Sequence, residues 1–147
     1  MEIERKFLVN QIPSLNGYEK SNITQGYISF SPEVRIRKRD NKYYLTKKGE
    51  GMIARTEDEA EVSSIEGEKY FSQVISNLIE KTRYIIPLDS GYIAELDIYQ
   101  GIFKGLVVVE VEFETLKQAQ DFTPPDWFGE DISENIEYRN KILATKY

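Results

Sequence analysis

The fold is decided by the stretch EVRIRKRDNKYYLTKK, which spans residues 33–48. Between positions 33 and 39 apolar residues alternate with arginines, and this period of two indicates a β-strand with one apolar and one cationic face. A second run, rich in Tyr, Leu and Thr, covers positions 42–48, and the intervening Asp40 and Asn41 are typical turn residues. The stretch therefore predicts an antiparallel hairpin.

Similar runs continue along the chain in both directions. Strands are predicted at positions 2–9, 23–30, 33–39, 42–48, 53–62, 79–87, 92–99 and 106–114. Apolar residues spaced by three and four predict a helix over 65–78, and short helices are predicted near 116–122 and 137–145. The expected fold is one domain over residues 1–147, mainly β (α+β), built as a closed eight-stranded antiparallel β-barrel with a few flanking helices. The interior of such a barrel holds side chains or one small ligand.

The composition excludes several classes of chemistry. The 147 residues contain no cysteine and no histidine, which removes disulfides, thiolate nucleophiles, common zinc sites and Ser-His-Asp triads. Carboxylates, Lys, Tyr and Arg are left for any acid–base or metal chemistry. The net charge of −6 argues against nucleic acid as a partner, and no apolar run approaches the roughly 20 residues of a membrane span. Glu2 and Glu4 near the start do not form a secretory n-region, so we expect a cytoplasmic protein.

Charges of one sign cluster on single strands. Arg35, Arg37 and Arg39 share one face of a predicted strand, and anionic faces occur at positions 95–97 and 110–114. A solvated outer face explains each strand by itself. Like charges at i and i+2 repel, however, and surfaces usually mix signs, so the combination favours charged faces that point into a barrel and bind a polyanion with divalent metal ions.

Glu2, Glu4 and Lys6 fit the ExExK motif of the CYTH domain, also called the triphosphate tunnel metalloenzyme family. The resemblance continues in order through the whole chain and is carried by segments 25–27, 34–37, 45–48, 55–59, 81–84, 95–97 and 109–113. The tail at 124–131 and 138–141 resembles the short bacterial branch of the family. The resemblance implies a charged tunnel that holds a triphosphate together with Mg²⁺ or Mn²⁺.

Site residues follow from the same resemblance. The family's metal contacts correspond to Glu2, Glu4, Glu59, Asp97, Glu110 and Glu112. Its phosphate-binding cations correspond to Lys6, Arg35, Arg37, Lys48, Lys81 and Arg83. Parity with Thr46 favours Lys48 over its neighbour Lys47. Tyr27 and Lys81 are the candidate catalytic residues, because a lysine among other cations is expected to have a lowered pKa and could accept a proton from water or from Tyr27.

Three functions are compatible with this pattern. The first is a metal-dependent inorganic triphosphatase that cleaves triphosphate into pyrophosphate and phosphate; the short-branch tail favours it. The alternatives are an adenylate cyclase of the class IV kind, which converts ATP to cyclic AMP and pyrophosphate, and a non-catalytic module that binds nucleotide or polyphosphate. No GxxxxGK[ST] loop is present, which excludes an ordinary nucleotide fold. Inorganic and nucleoside triphosphates both stay open as substrates, and a homodimer is compatible with the sequence.

Overall fold

The computed structural model describes residues 3–49 and 57–145. Within these ranges the chain forms a nine-stranded antiparallel sheet. The strands are β1 (Ile3–Val9), β2 (Glu19–Phe30), β3 (Glu33–Arg39), β4 (Lys42–Lys48), β5 (Glu57–Val62), β6 (Ile79–Pro87), β7 (Ile93–Gln100), β8 (Val107–Phe113) and β9 (Phe128–Asp131). The predicted class, a largely antiparallel sheet with few helices, is confirmed.

The order of the strands is β5-β4-β3-β2-β6-β7-β8-β1-β9. Short polar or glycine-containing turns join β2 to β3, β3 to β4, β6 to β7 and β7 to β8 as hairpins, and β5 pairs antiparallel with β4. Two details differ from the predicted barrel. A ninth strand follows the Pro124-Pro125 break, and it takes the edge of β1 that a closing strand would need. In the part of the chain that the structure describes, no hydrogen-bonded ladder joins β5 to β9, so the sheet is curved but not closed by hydrogen bonds.

The helices are short. They are α1 (Ser64–Phe71), α2 (Leu116–Asp121) and α3 (Asn140–Leu143), with 3-10 turns at Gly101–Phe103 and Ile136–Tyr138. None of the helices in the described ranges has the length and apolar character needed to cross a membrane.

α1 ends earlier than the predicted 65–78 because the chain beyond it packs onto β2. The amide of Ile75 donates to the carbonyl of Tyr27 over 2.9 Å. A Cβ atom on Gly26 would lie only 2.7 Å from Val74, so this close approach requires a glycine on β2. The apolar residues whose spacing predicted a longer helix therefore belong to a loop that covers the sheet.

Apolar residues pack on both faces of the sheet. On the outer face Phe7, Leu96 and Val109 form a core with Phe122 and Phe128. The inner face is apolar only at one end. There a second cluster joins three residues of the strands to two of the C-terminal segment: Tyr27, Tyr99, Val108, Ile132 and Leu143. Burial of these apolar side chains stabilises the sheet, and the rest of the inner face is left for charged groups.

Candidate active site

The inner face of the sheet encloses a cavity of about 1410 Å³ that is open to solvent. Charged side chains from seven strands line it: Glu4 and Lys6 of β1, Glu33, Arg35 and Arg37 of β3, Lys48 of β4, Glu57 of β5, Arg83 of β6, Glu95 of β7, and Glu110 and Glu112 of β8. The strand register explains this arrangement. Because Gln25 pairs with Arg37 and Arg83 pairs with Asp97, alternate residues of neighbouring strands share the inner face. The sequence pattern of period two therefore becomes a continuous charged surface.

The arginines of β3 are held by uncharged side chains of the neighbouring strands. Arg37 Nε donates to Gln25 Oε1 over 2.9 Å, and Arg35 Nη2 donates to Thr46 Oγ1 over 3.4 Å. Burial, together with the positive charges of Arg35 and Arg83, lowers the pKa of Arg37 to about 9. Arg35 Nε is buried without a hydrogen-bond partner among the described residues. This strand therefore presents positive charge that the surrounding side chains only weakly compensate.

The cations of β6 are held by carboxylates of β7. Lys81 Nζ donates to Asp97 Oδ2 over 2.7 Å, and Arg83 Nε and Nη2 donate to the two oxygens of the same carboxylate over 2.8 and 2.9 Å. Arg83 also pairs with Glu95 at 2.9 Å. Burial opposes the charged form of Asp97, but Lys81 and Arg83 overcome it and hold the pKa of this carboxyl well below its usual range. Lys81, Arg83 and Asp97 thus form a buried ion cluster, of which Arg83 also lines the cavity.

Lys81 has a pKa lowered to about 7, chiefly by burial, with further lowering by Arg83 and Arg37 against the opposing effect of Asp97. Its ammonium lies 5.5 Å from the centroid of the Tyr99 ring. Lys81 pairs with Ile23 across the ladder, and Tyr27 follows Ile23 by four residues on β2. At about 3.3 Å per residue the two backbones are roughly 13 Å apart, so proton transfer between them requires their long side chains or a water.

A row of carboxylates lies on β1 and β8. Glu4 stands opposite Glu112, and Lys6 stands opposite Glu110, with 3.2 Å between Lys6 Nζ and Glu110 Oε1. Burial disfavours the charged form of Glu110, but Lys6 and Arg83 outweigh it and lower its pKa to about 2. Lys6 Nζ also donates to the carbonyl of Tyr138 over 3.2 Å, which ties the C-terminal segment to this side of the cavity.

These carboxylates fit a divalent metal that a substrate helps to bind. Glu4 and Glu112 line the cavity from opposed positions, where two like charges repel unless a cation lies between them. In residues 3–49 and 57–145 no three side chains of the metal-ligating types form a ready-made cluster. Mg²⁺ is usually bound by only one or two carboxylates plus water and substrate phosphate. The donor set therefore matches a site whose remaining ligands come from phosphate oxygens.

The structure brings most of the residues predicted from the sequence into one cavity. The lining includes the predicted residues Glu4, Lys6, Tyr27, Arg35, Arg37, Lys48, Arg83, Glu110 and Glu112. Lys81 and Asp97 are buried beneath it and paired with each other. Glu59 is exposed, is not part of the lining, and accepts from Thr46 Oγ1 over 3.1 Å. Glu2 lies outside the described residues.

Some lining residues were not among the site residues assigned from the sequence. Glu57 stands opposite Lys48 and lies 3.9 Å from Arg35, and Glu95 stands opposite Glu110. Arg139 enters the cavity from the C-terminal segment. Strand parity was the available signal for Glu57 and Glu95, since each shares a face with a predicted site residue on its own strand.

The described part of the chain is a concave antiparallel sheet whose inner face carries guanidinium groups opposite carboxylates, an arrangement suited to binding a polyanion together with a metal ion. The family model described as the CYTH domain matches residues 1–145, and the chain belongs to this family. The family assignment made from the motifs is thereby confirmed. Membership implies a divalent metal cofactor.

Relatives of known structure and activity are similar over nearly the whole chain. An inorganic triphosphatase from Nitrosomonas europaea is 39% identical over 146 residues, which cover 97% of this chain and 96% of that protein. The crystal structure of the inorganic triphosphatase NE1496 matches with a TM-score of 0.79 and 36% identity, covering 100% of this chain and 96% of that one. HpAC1 from Hippeastrum, a proposed adenylyl cyclase with a dominant triphosphatase activity, matches with a TM-score of 0.55 and 19% identity over 82% and 83% of the two chains. The last likeness shows the fold alone.

Proposed function

We propose that this protein is a metal-dependent inorganic triphosphatase, a phosphoanhydride hydrolase that cleaves triphosphate into pyrophosphate and phosphate. One observation carries the proposal. Arg37 lines the cavity, and none of the ion pairs among the described residues involves it. A partly buried guanidinium without a carboxylate partner is costly unless a ligand supplies the anion. Relatives named inorganic triphosphatase support the same substrate.

The residues of the cavity have complementary tasks in this proposal. Arg35 and Arg37, with Lys6, Lys48 and Arg83, bind the oxygens of the phosphate chain through charge-assisted hydrogen bonds. Glu4 and Glu112 hold the metal ion, for which Mg²⁺ and Mn²⁺ are the proposed identities, and Glu2 and Glu110 are further candidates. When bound, the metal neutralises charge on the phosphate oxygens and polarises the phosphorus–oxygen bonds.

Lys81 and Tyr27 are the proposed proton-handling groups. Lys81 has a lowered pKa of about 7 in its buried site, so a substantial fraction of its amine is neutral at mildly alkaline pH. The neutral amine accepts the proton of the attacking water through Tyr27 or a second water, because Lys81 itself does not line the cavity. The water oxygen attacks the terminal phosphorus in line with the leaving pyrophosphate.

Phosphate release from a panel of substrates tests the proposal. The panel consists of triphosphate, ATP, GTP, pyrophosphate and longer polyphosphate, each with Mg²⁺, with Mn²⁺ and with excess EDTA. We expect triphosphate to be hydrolysed fastest, and we expect EDTA to abolish the reaction because substrate and carboxylates repel each other without a divalent cation. Formation of cyclic AMP from ATP without triphosphate hydrolysis, or full activity in EDTA, would contradict the proposal. The cytoplasmic location, the absence of membrane and nucleic-acid partners, and a homodimer are further proposals that rest on the sequence.

A further inference from the structure

Gln25 is a buried residue that is hydrogen-bonded to Arg37, the arginine without a carboxylate partner among the described residues. Its side chain has no exposed surface, and its Oε1 accepts from Arg37 Nε over 2.9 Å. Its Nε2 is buried without a hydrogen-bond partner among the described residues. A buried amide donor without a partner destabilises the folded protein, so a role in stability alone does not explain why a glutamine stands here.

A carboxylate would be the better partner for Arg37 if stability were the only requirement. Glutamate has nearly the same shape as glutamine, and it would pair with the guanidinium without leaving an unsatisfied amide. The same fold uses that solution for Arg83, whose Nε donates to Asp97 Oδ1 over 2.8 Å. The neutral residue at position 25 therefore holds the orientation of Arg37 while leaving its positive charge uncompensated.

We propose that Gln25 is a positioning residue for substrate binding, which fixes Arg37 through Nε and keeps its charge and its two terminal nitrogens available for a phosphate group. This inference rests on the proposed triphosphatase function. It predicts a conflict between stability and affinity at this position, because neutralising Arg37 stabilises the empty protein and weakens its hold on a polyanion.

Gln25→Glu tests the proposal directly. The probe is a bis-methylene analogue of triphosphate, titrated in the presence of Mg²⁺ by calorimetry so that no hydrolysis occurs. We expect the Kd to rise by about 10- to 150-fold, the range for loss of one hydrogen bond to a charged group, while the melting temperature stays the same or rises. An unchanged Kd would overturn the proposal, and so would equal losses of affinity and melting temperature.

A double-mutant cycle separates positioning from packing. We expect Gln25→Leu to weaken binding of the analogue in the wild-type background and to have less than about a twofold effect when Arg37→Met is already present, because Gln25 acts through Arg37. Effects that simply add would indicate a packing role and overturn the proposal. Ser21→Ala is the matched control, since Ser21 Oγ accepts from Arg39 Nε over 3.2 Å and neither residue lines the cavity. We expect the control to leave the Kd unchanged.

The same measurements distinguish this proposal from the proposed function. If the wild-type protein hydrolyses triphosphate and binds the analogue but Gln25→Glu binds it equally well, only the role of Gln25 is wrong. If the wild-type protein neither binds the analogue nor hydrolyses triphosphate, both proposals are wrong.

Discussion

The two cationic strands of the cavity are held in different ways. On β3, Arg37 and Arg35 are hydrogen-bonded to the neutral side chains of Gln25 and Thr46. On β6, Lys81 and Arg83 share the carboxylate of Asp97. A cation whose charge is already balanced contributes less to binding an anion than one that is not. The difference suggests that β3 supplies most of the phosphate affinity, whereas the ion cluster of β6 and β7 supplies rigidity and a lysine with a lowered pKa.

The largest expected effect concerns Lys81 and Tyr27. If they handle the proton of the attacking water, Lys81→Arg and Tyr27→Phe should each lower kcat by about 10²- to 10⁴-fold with little change in KM. In the wild-type protein kcat should rise as pH passes through about 7, because only the neutral amine of Lys81 accepts a proton. Profiles of kcat against pH test this, with the exposed Lys104→Arg as control. A Lys81→Arg variant that keeps most of its kcat would instead make Lys81 a structural cation.

The next effect is on stability and concerns Asp97. Asp97→Asn leaves Lys81 and Arg83 buried without their shared negative charge. The free energy of unfolding should fall by about 3–5 kcal/mol, the usual result of removing one partner from a buried ion pair. Urea denaturation measures it, and Glu130→Gln is the control because an exposed substitution should change stability by less than about 0.5 kcal/mol. A loss no larger than that of the control would contradict the view that Asp97 is mainly a partner for cations.

Arg37 should show the opposite of Asp97, with a large effect on activity and a small effect on stability. Arg37→Ala removes an uncompensated charge, so kcat/KM for triphosphate should fall by about 10- to 150-fold, or 1.5–3 kcal/mol, while the free energy of unfolding should fall by less than in Asp97→Asn, because removal of the charge offsets the lost hydrogen bond to Gln25. Arg37→Lys keeps the charge but loses the planar fork, and it should recover only part of the activity. If Arg37→Ala keeps the wild-type kcat/KM, the arginines of β3 do not supply most of the phosphate affinity.

The smallest effect is the dependence of stability on acid. The pKa of Glu110 is lowered from 4.5 to about 2 in the folded protein, so its carboxylate stabilises the fold above its unfolded pKa, and this stabilisation decreases as pH falls toward about 2. From pH 5 to pH 4 the loss attributable to Glu110 should be less than about 1 kcal/mol. Glu110→Gln should reduce the slope of stability against pH in this interval, compared with the exposed Glu130→Gln. An unaltered slope would show that Lys6 and Glu110 do not form a stabilising pair.

Strand parity made much of the inner face predictable from the sequence. A period of two places Arg35, Arg37 and Lys48 on one face of their hairpin, and the structure has all three in the cavity while Lys47 is exposed. The prediction depends on neighbours two apart along one strand, which is local information. The resemblance to the CYTH family then supplied the function that parity alone left open.

Register across strands was not predictable in the same way. Asp97 looks in the sequence like any inward carboxylate, and only the pairing of Arg83 with Asp97 shows that two cations already occupy its oxygens. The ninth strand was missed because its four residues are too few for a periodic pattern. The extent of α1 was overestimated because Val74 contacts Gly26, a residue far away in sequence.

The position of β1 between β8 and β9 has a consequence for how the molecule assembles. Glu4 and Glu112 are more than one hundred residues apart in the chain, whereas β2, β3 and β4 are consecutive hairpins. Contacts between distant segments form slowly, because a long loop must close before they contribute. During synthesis β1 emerges before β8, and it remains without this partner strand until β8 has left the ribosome. The arginine-bearing hairpin can be complete in the nascent chain well before the carboxylate pair exists.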